Sequence, residues 1–528
     1  MSAVNITTEV TVSDDGDTRV TVNVAGFPGD SRVDASVPGV SGIPGDSGDS
    51  GVTVSDASVV SDASVASIVG DSGIVDDSGD KHTRNLNNFC DVRIATLGNV
   101  DSGKSTLVGV LTHGQLDNGR GLTRSFVFRT PHETVSGRTS AISHHLLGFN
   151  GTDAVYQPPS SSATSVAKTK QWRQVMNASK SSVTFIDLCG HEKYLKTTIA
   201  GLTGMYIDYA ALIIGGNMGV SKMTKEHLGI ALALNIPCYV IISKIDLTPP
   251  DVLKETVKQL YKILKSPQAN KIPQIIKTIA DVEAVTSGNG AAINRICPIF
   301  LVSSVKGTNI DLLLQFLSRL RPRYFDPELG NHVHVKGNVN KFDIDTVFNV
   351  PGIGVVVSGT VCGGSLELNQ RMLLGPCPDG TFHNVSIKSI HMKRMSVEGA
   401  HLGDSCAIAL RPVKRKDAFT RDEVRKGMVL IDSLEQLKPS KTFIAEVLIL
   451  THHTTIKPKY QPVLHIGNVR QTAVVLEIDR DVLRSGDKAT IKFEFIIRAE
   501  FIHVGATFLF CEGTTKGIGR ILEIGLDG

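Results

Sequence analysis

The chain is poor in cysteine pairs, aromatics and long apolar runs, and each shortage excludes something. Its eight cysteines (Cys90, Cys189, Cys238, Cys297, Cys362, Cys377, Cys406 and Cys511) are scattered, with no C-x-x-C pair among them. That argues for a reducing compartment and against a structural zinc site. Sequons such as Asn150-Gly151-Thr152 then carry no glycosylation meaning. No apolar run approaches the roughly 18 residues that a membrane span needs. The N-terminus lacks both the basic, apolar signal pattern and the Arg-rich transit pattern. The expectation is a cytoplasmic chain with no membrane partner.

Aromatics make up 5 % of the 528 residues, and Phe27 is the only one before residue 86. This first tract is built from Gly, Asp, Ser and Val, with fragments such as Gly45-Asp46-Ser47-Gly48 recurring. It cannot bury enough apolar surface to offset its ordering entropy, so residues 1–86 are expected to form a disordered acidic tail. Its charge is also distinct. Residues 1–80 carry Glu9 and thirteen Asp against Arg19 and Arg32, a net of −12, which leaves +15 on the remainder of a chain whose total is +3. A basic body suits an anionic partner such as RNA.

A length of 528 residues implies three or four domains at about 150 each. From about residue 88 to 322, short apolar strands (Ser182–Ile186, Tyr209–Ile214, Cys238–Ile242, Ile299–Val302) alternate with helical stretches such as Lys225–Leu234 and Val252–Leu264. This alternation implies a parallel sheet covered by helices. After about residue 330 the long helices vanish. Runs such as Val355–Val361, Phe443–Leu450, Thr472–Ile478 and Lys488–Phe495 are separated by Gly, Pro and Asp turns, and a turn-rich joint around Asp432–Lys441 divides them. Two small β-barrels fit this better than one sandwich. The expected architecture is an α/β P-loop domain at 87–325, then all-β barrels at 331–433 and 438–528.

Within the α/β region, Gly98-Asn99-Val100-Asp101-Ser102-Gly103-Lys104-Ser105 matches G-x-x-x-x-G-K-[ST] between an apolar strand and the helical run from Thr106. Its glycines let backbone N–H groups turn in around a phosphate at a helix N-terminus. Lys104 would reach the terminal phosphates and the Ser105 hydroxyl would ligate Mg²⁺. Four further elements occur in the expected places along the chain. Asp187-Leu188-Cys189-Gly190 closes a strand, placing a carboxylate toward Mg²⁺ and the Gly190 N–H toward a γ-phosphate. Ser243-Lys244-Ile245-Asp246 closes another. There Asp246 can accept two hydrogen bonds from guanine, which adenine cannot supply, and the Lys244 stem can cover the base. Ser303-Ser304-Val305 can offer backbone N–H groups to the guanine O6. Ser136-Gly137-Arg138-Thr139 supplies a threonine hydroxyl suited to Mg²⁺. Together they specify a guanine-nucleotide site for GTP or GDP with Mg²⁺ held by Ser105, Thr139 and Asp187. His191 follows the γ-phosphate sensor, where a side chain must orient the attacking water.

These residues resemble a translational GTPase of the elongation factor Tu class. The resemblance extends to Asp187–Tyr194, to Pro351–Thr360 and to Arg425-Lys426-Gly427-Met428-Val429. A nearer likeness is to the subfamily of GTP-binding proteins one and two. It rests on Leu111–Gly121, Ser136-Gly137-Arg138-Thr139-Ser140, Lys193–Thr198, Thr224–Gly229 and Arg470-Gln471-Thr472-Ala473. It covers about residues 88–526. It implies a monomer that hydrolyses GTP under control of the ribosome and binds aminoacyl-tRNA or another RNA. The role would be tRNA delivery or ribosome rescue. The alternative is a GTP-dependent adaptor in RNA decay or signalling with no catalytic requirement, and a partner of a release-factor-like protein would share the architecture.

There are departures from the class. Asn99 and Ser102 replace histidines, Ser243 stands where Asn or Thr is usual, and Arg138 replaces an apolar residue that helps gate the catalytic histidine. Residues Gly148–Ser182 form an insert rich in Ser, Thr and Gln around the single Trp172. It is read as a mobile loop near the ribosome-facing edge, with a neutral insertion as the alternative. Basic clusters in the barrels (Lys388, His391, Lys393, Arg394, Lys414, Arg415, Lys416; Lys457, Lys459, Arg470) are read together as RNA contacts that weaken with salt.

Overall fold

The computed structural model describes residues 5–12, 18–25, 89–128, 131–158, 165–287, 292–323, 339–414, 418–434, 439–452, 454–512 and 515–525. Asn5–Val12 (β1) and Thr18–Ala25 (β2), rich in Val and Thr, pair as an antiparallel hairpin. The rest of the tail that was expected to be disordered lies outside the described residues.

The α/β region forms one eight-stranded sheet. In chain order its strands are Cys90–Gly98 (β3), Ser143–Asn150 (β4), Asp153–Val155 (β5), Ser181–Asp187 (β6), Tyr209–Gly215 (β7), Cys238–Ser243 (β8), Ile272–Ile275 (β9) and Ile296–Leu301 (β10). Their spatial order is β5-β4-β6-β3-β7-β8-β10-β9, parallel except for β4, which runs against both β6 and the edge strand β5. The inner strands are apolar throughout because both faces are covered; every residue of β7 is buried. Tyr209, Ala211 and Ile213 join one core while Ala210, Leu212 and Ile214 join the other, as the two-residue period of a strand requires.

The helices are Lys104–His113 (α1), Pro131–Ser136 (α2), Ser165–Ala178 (α3), Leu195–Gly204 (α4), Lys222–Ala233 (α5), Pro250–Leu264 (α6), Ile279–Thr286 (α7) and Ile310–Arg319 (α8). Two begin earlier than their apolar periodicity implies. The Ser221 hydroxyl accepts the Thr224 N–H as an N-cap, so α5 starts at Lys222. Pro250 opens α6, where a missing N–H costs nothing.

The two barrels are as expected. The first comprises Lys341–Val350 (β11), Gly354–Gly363 (β12), Arg371–Gly375 (β14), His383–Met392 (β15), Ser405–Pro412 (β18) and Val429–Ile431 (β19), with Met395–Val397 (β16) appended. Ser365–Glu367 (β13) and Gly399–His401 (β17) make a small side ladder. The second is a closed barrel of Thr442–Thr451 (β20), Val463–Ile466 (β21), Val469–Ile478 (β22), Lys488–Phe495 (β23), Thr507–Glu512 (β24) and Thr515–Ile524 (β25).

Buried polar contacts join the three bodies. Arg93, at the far end of β3 from the phosphate loop, reaches the first barrel, donating to Thr360 Oγ1 at 3.1 Å and to the Gly403 carbonyl. Lys516 of the second barrel pairs with Glu226 of α5 at 2.9 Å.

Two expectations are overturned. The insert is folded in its described part: Gly148–Asn150 ends β4, Asp153–Val155 forms β5 and Ser165–Ala178 forms helix α3. Trp172 is buried with Leu146, Val175 and Met176, which supplies the apolar face that an isolated Ser- and Gln-rich segment lacks. Part of the basic cluster in the first barrel is also not free for RNA. Lys393 is ion-paired with Asp91 at 2.7 Å, and the Arg394 guanidinium lies 5.4 Å from the centre of the Trp172 ring. Both contacts fasten that barrel to the α/β domain. His391 is buried, and Arg415 and Lys416 lie outside the described residues.

Candidate nucleotide site

Four sequence elements meet at the carboxyl ends of the parallel strands, where α/β sheets place ligands. Gly98 ends β3, Asp187 ends β6 and Ser243 ends β8, while Ser303 follows β10. The phosphate loop then turns into α1 through Gly103, whose φ of 85° suits glycine at that helix start. Lys104 is buried and its ammonium donates to the carbonyls of Gly98 (3.3 Å) and Asn99 (2.7 Å). Burial pushes its pKa down, partly offset by Asp187. The Ser102 hydroxyl donates to Asn99 O at 2.9 Å, which braces the loop.

The three expected metal ligands converge. Ser105 Oγ lies 2.7 Å from Asp187 Oδ2 and 2.9 Å from Thr139 Oγ1, and Thr139 Oγ1 lies 3.4 Å from the same carboxylate oxygen. Asp187 is fully buried, and desolvation raises its pKa against the hydroxyl of Thr96 and the charge of Lys104. A buried carboxylate with two hydroxyls is a hard oxygen set that fits Mg²⁺. Sequence reading missed Thr96. It donates to Asp187 Oδ1 at 2.6 Å because the register of β3 against β6 sets the two residues side by side.

Gly190 lies hard against the loop. A Cβ there would overlap Lys104 Nζ and come within 2.7 Å of the Gly98 carbonyl oxygen, so only glycine fits. His191 is exposed and lines the same cleft as Lys104, Ser105 and Thr139. Its Nδ1 accepts the Lys193 N–H at 3.1 Å, which leaves the proton of the neutral ring on Nε2. In that tautomer the free nitrogen donates, so the ring can hold a water or a phosphate oxygen but cannot take a proton through Nε2.

The base-reading elements also come together. Ser303 Oγ donates to Asp246 Oδ1 at 2.7 Å, and Lys244 Nζ donates to the Asp101 carbonyl of the phosphate loop at 2.6 Å. The buried Ser243 hydroxyl donates to Ser102 O at 2.6 Å, so it bolts the loop to β8 although it is shorter than the usual Asn. Ser304 accepts the Asp117 N–H at 2.9 Å and Val305 is partly exposed beside it. Val100 and Thr106 complete the cleft lining. A second residue missed in the sequence is His227 of α5, buried, with Nδ1 accepting the Gly98 N–H at 3.2 Å. Nothing in Thr-Lys-Glu-His marks that contact before the helix is placed.

Residues 91–323 match the family of the elongation factor Tu GTP binding domain. Over 438 residues the chain is 45 % identical to GTP-binding protein 1 of Xenopus laevis and 40 % identical to GTP-binding protein 2 of Homo sapiens, in each case across 83 % of its own length. It spans 64 % of the first relative and 70 % of the second. Among solved structures, a bacterial selenocysteine-specific elongation factor EF-Sec aligns with a TM-score of 0.57 at 19 % identity, covering 83 % of this chain and 59 % of that one. Elongation factor SelB from Methanococcus maripaludis, in complex with the GTP analogue GppNHp, aligns at 0.53 and 18 % identity, covering 83 % and 80 %. At those identities the likeness is one of fold.

Proposed function

We propose that this chain, which belongs to the GTP-binding protein 1 and 2 group of elongation factor Tu-type GTPases, hydrolyses GTP as a cytoplasmic translation factor working on the ribosome with tRNA or another RNA. The observation that carries the reading is the meeting of Ser105, Thr139 and Asp187 beneath Lys104, with Gly190 and His191 on the same cleft.

The roles follow from that placement. Lys104 holds the β- and γ-phosphates, and the loop N–H groups from Val100 to Ser105 cradle them. Ser105, Thr139 and, through water, Asp187 would hold Mg²⁺, which would supply charge neutralisation at the phosphates. The Gly190 N–H and Thr139 order their two segments on the γ-phosphate, and loss of that phosphate frees both. Asp246 reads the guanine edge, with Ser303-Ser304-Val305 on O6 and the Lys244 stem over the ring. The His191 Nε2–H positions the attacking water and steadies charge in the transition state.

The deciding experiment is GTP hydrolysis with and without ribosomes at matched salt and Mg²⁺, for the native chain and His191→Ala. Stimulation that disappears in the variant, with GTP affinity retained, is the expected result. Tight GTP binding with no stimulation by ribosomes favours the GTP-dependent adaptor instead.

A further inference from the structure

The nucleotide cleft holds a cation that neither the phosphate loop nor the base-reading elements account for. Arg124 sits on the single 3-10 turn Thr123–Phe126, and the preceding loop fixes that turn. The buried Asp117 carboxylate accepts the N–H groups of Gly119, Gly121 and Thr123 at 2.9, 3.1 and 2.9 Å, and the Thr123 hydroxyl at 3.1 Å. Burial alone raises the Asp117 pKa, but these bonds outweigh it and hold the carboxyl below its ordinary value. Thr123 also donates to the Thr106 carbonyl at 3.1 Å, which ties the turn to the helix that follows the phosphate loop.

From that anchored turn the guanidinium passes between two glycines. A Cβ at Gly121 would overlap Arg124 Nε, and one at Gly137 would stand 3.5 Å from Cζ and both terminal nitrogens. Gly137 is two residues before Thr139, whose hydroxyl is 2.9 Å from Ser105 Oγ. Arg124 therefore lines the cleft beside Lys104 and His191. Among the described residues it makes no ion pair and no side-chain hydrogen bond. A half-buried guanidinium held in place with its donors unspent is suited to an anion that arrives with the ligand. Arg138 lines the same cleft but is exposed, with no comparable enclosure.

We propose that Arg124 is a catalytic residue supplied in cis, its guanidinium bridging oxygens of the γ-phosphoryl group and the β–γ bridge of bound GTP. The proposal rests on the GTP-hydrolysing reading above. In the reaction the water oxygen forms a bond to the γ-phosphorus. The bond from that phosphorus to the β–γ bridging oxygen breaks, its electron pair stays on GDP, and both protons of the water leave on inorganic phosphate, as dihydrogen phosphate. Negative charge grows on the bridging oxygen and the equatorial oxygens as this happens. A planar cation can meet two of them at once, which the point charge of Lys104 cannot.

The test uses the full chain with ribosomes: single-turnover hydrolysis at saturating GTP, GDP affinity, and capture of GDP with aluminium fluoride, for the native chain, Arg124→Ala and Arg124→Lys. The expected result is hydrolysis slowed on the order of 10³-fold in both variants, the low end for an arginine of this kind. GDP affinity should be unchanged and the aluminium fluoride complex lost. Hydrolysis at the native rate in Arg124→Ala overturns the proposal. So does an equal loss of GDP and GTP affinity with the rate at saturation preserved, which marks a binding or structural role. Failure of the native chain to bind GTP overturns the underlying reading and the proposal with it, whereas native-rate variants remove the proposal alone.

Discussion

Arg425 of the first barrel donates to the buried carboxylate of Glu500 in the second at 2.8 Å, and Gln471 donates to the other oxygen of that carboxylate at the same distance. Arg425 and Gln471 come from Arg425–Val429 and Arg470–Ala473, two of the segments by which the barrels resemble known GTPases. Both segments thus meet on one acid that lies in neither. Arg498 adds a third contact at 3.3 Å. Glu500 is 1 % exposed, so its charge depends on these partners.

Removing Arg425 should therefore cost more than the pair itself contributes. Arg425→Met leaves a buried carboxylate short of its main cation, a loss of about 3–5 kcal/mol in comparable pairs. Glu500→Gln, which removes the charge to be solvated, should cost less. Urea unfolding of the two variants checks this order; equal and small losses would mean that the barrels hold together through their apolar contacts.

Acid should loosen the chain through two neutral histidines. Burial pushes His227 down to about 4, with Lys104 and Lys516 adding to it, and pushes His465 down to about 3, with Arg470 adding to it. Both folded values lie below the unfolded value of about 6.5, so the unfolded chain takes up more protons in that window and stability falls as pH drops below 6.5. At pH 5 each histidine should cost about 2 kcal/mol relative to neutrality. Thermal unfolding between pH 7 and 5 should show the fall. His465→Phe should flatten it without touching the nucleotide site, while His227→Gln should flatten it and also weaken GTP binding through Gly98.

The Thr96 hydroxyl orients the Asp187 carboxylate from the neighbouring strand. Thr96→Val keeps the shape and removes the donor. Mg²⁺ affinity of the GTP complex should fall by about 10–100-fold, the usual effect of removing such a support. Binding of GDP without Mg²⁺ should be unchanged. A titration of Mg²⁺ against bound fluorescent GTP measures the difference, and an unshifted curve would leave Thr96 a packing residue.

What could be read from the sequence was whatever lies contiguous along the chain. Gly98–Thr106 and Asp187–His191 each hold their chemistry within one strand–loop junction, so spacing alone defines them. Thr96 bonds Asp187, His227 bonds Gly98 and Arg124 lines the same cleft, but strand register, helix packing and a pair of glycines bring them there. Arg394 and Lys393 show the opposite error. Basic residues on a β-turn suit RNA, and only the fold reveals that Trp172 of the insert and Asp91 of β3 already engage them. The insert was misread because its Ser, Thr and Gln content hides three apolar side chains (Trp172, Val175 and Met176) at helical spacing.

That contact offers its own reporter, because Trp172 is the only tryptophan. Arg394 lies over its ring and donates to Thr169 Oγ1 at 3.0 Å on the same helix, while Met395 joins the apolar cluster beneath. The helix packs on β4, which follows Thr139, and β4 pairs with β6, which ends at Asp187. A shift of the first barrel would therefore be felt both at Trp172 and at the strands beside Thr139 and Asp187. Arg394→Ala should remove about 0.5–2 kcal/mol of docking. The Trp172 emission should move to longer wavelength and become easier to quench with iodide. In the native chain, exchange of GDP for a non-hydrolysable GTP analogue should change the same emission. An emission that ignores both the substitution and the nucleotide would show that helix α3 is a passive cover on β4.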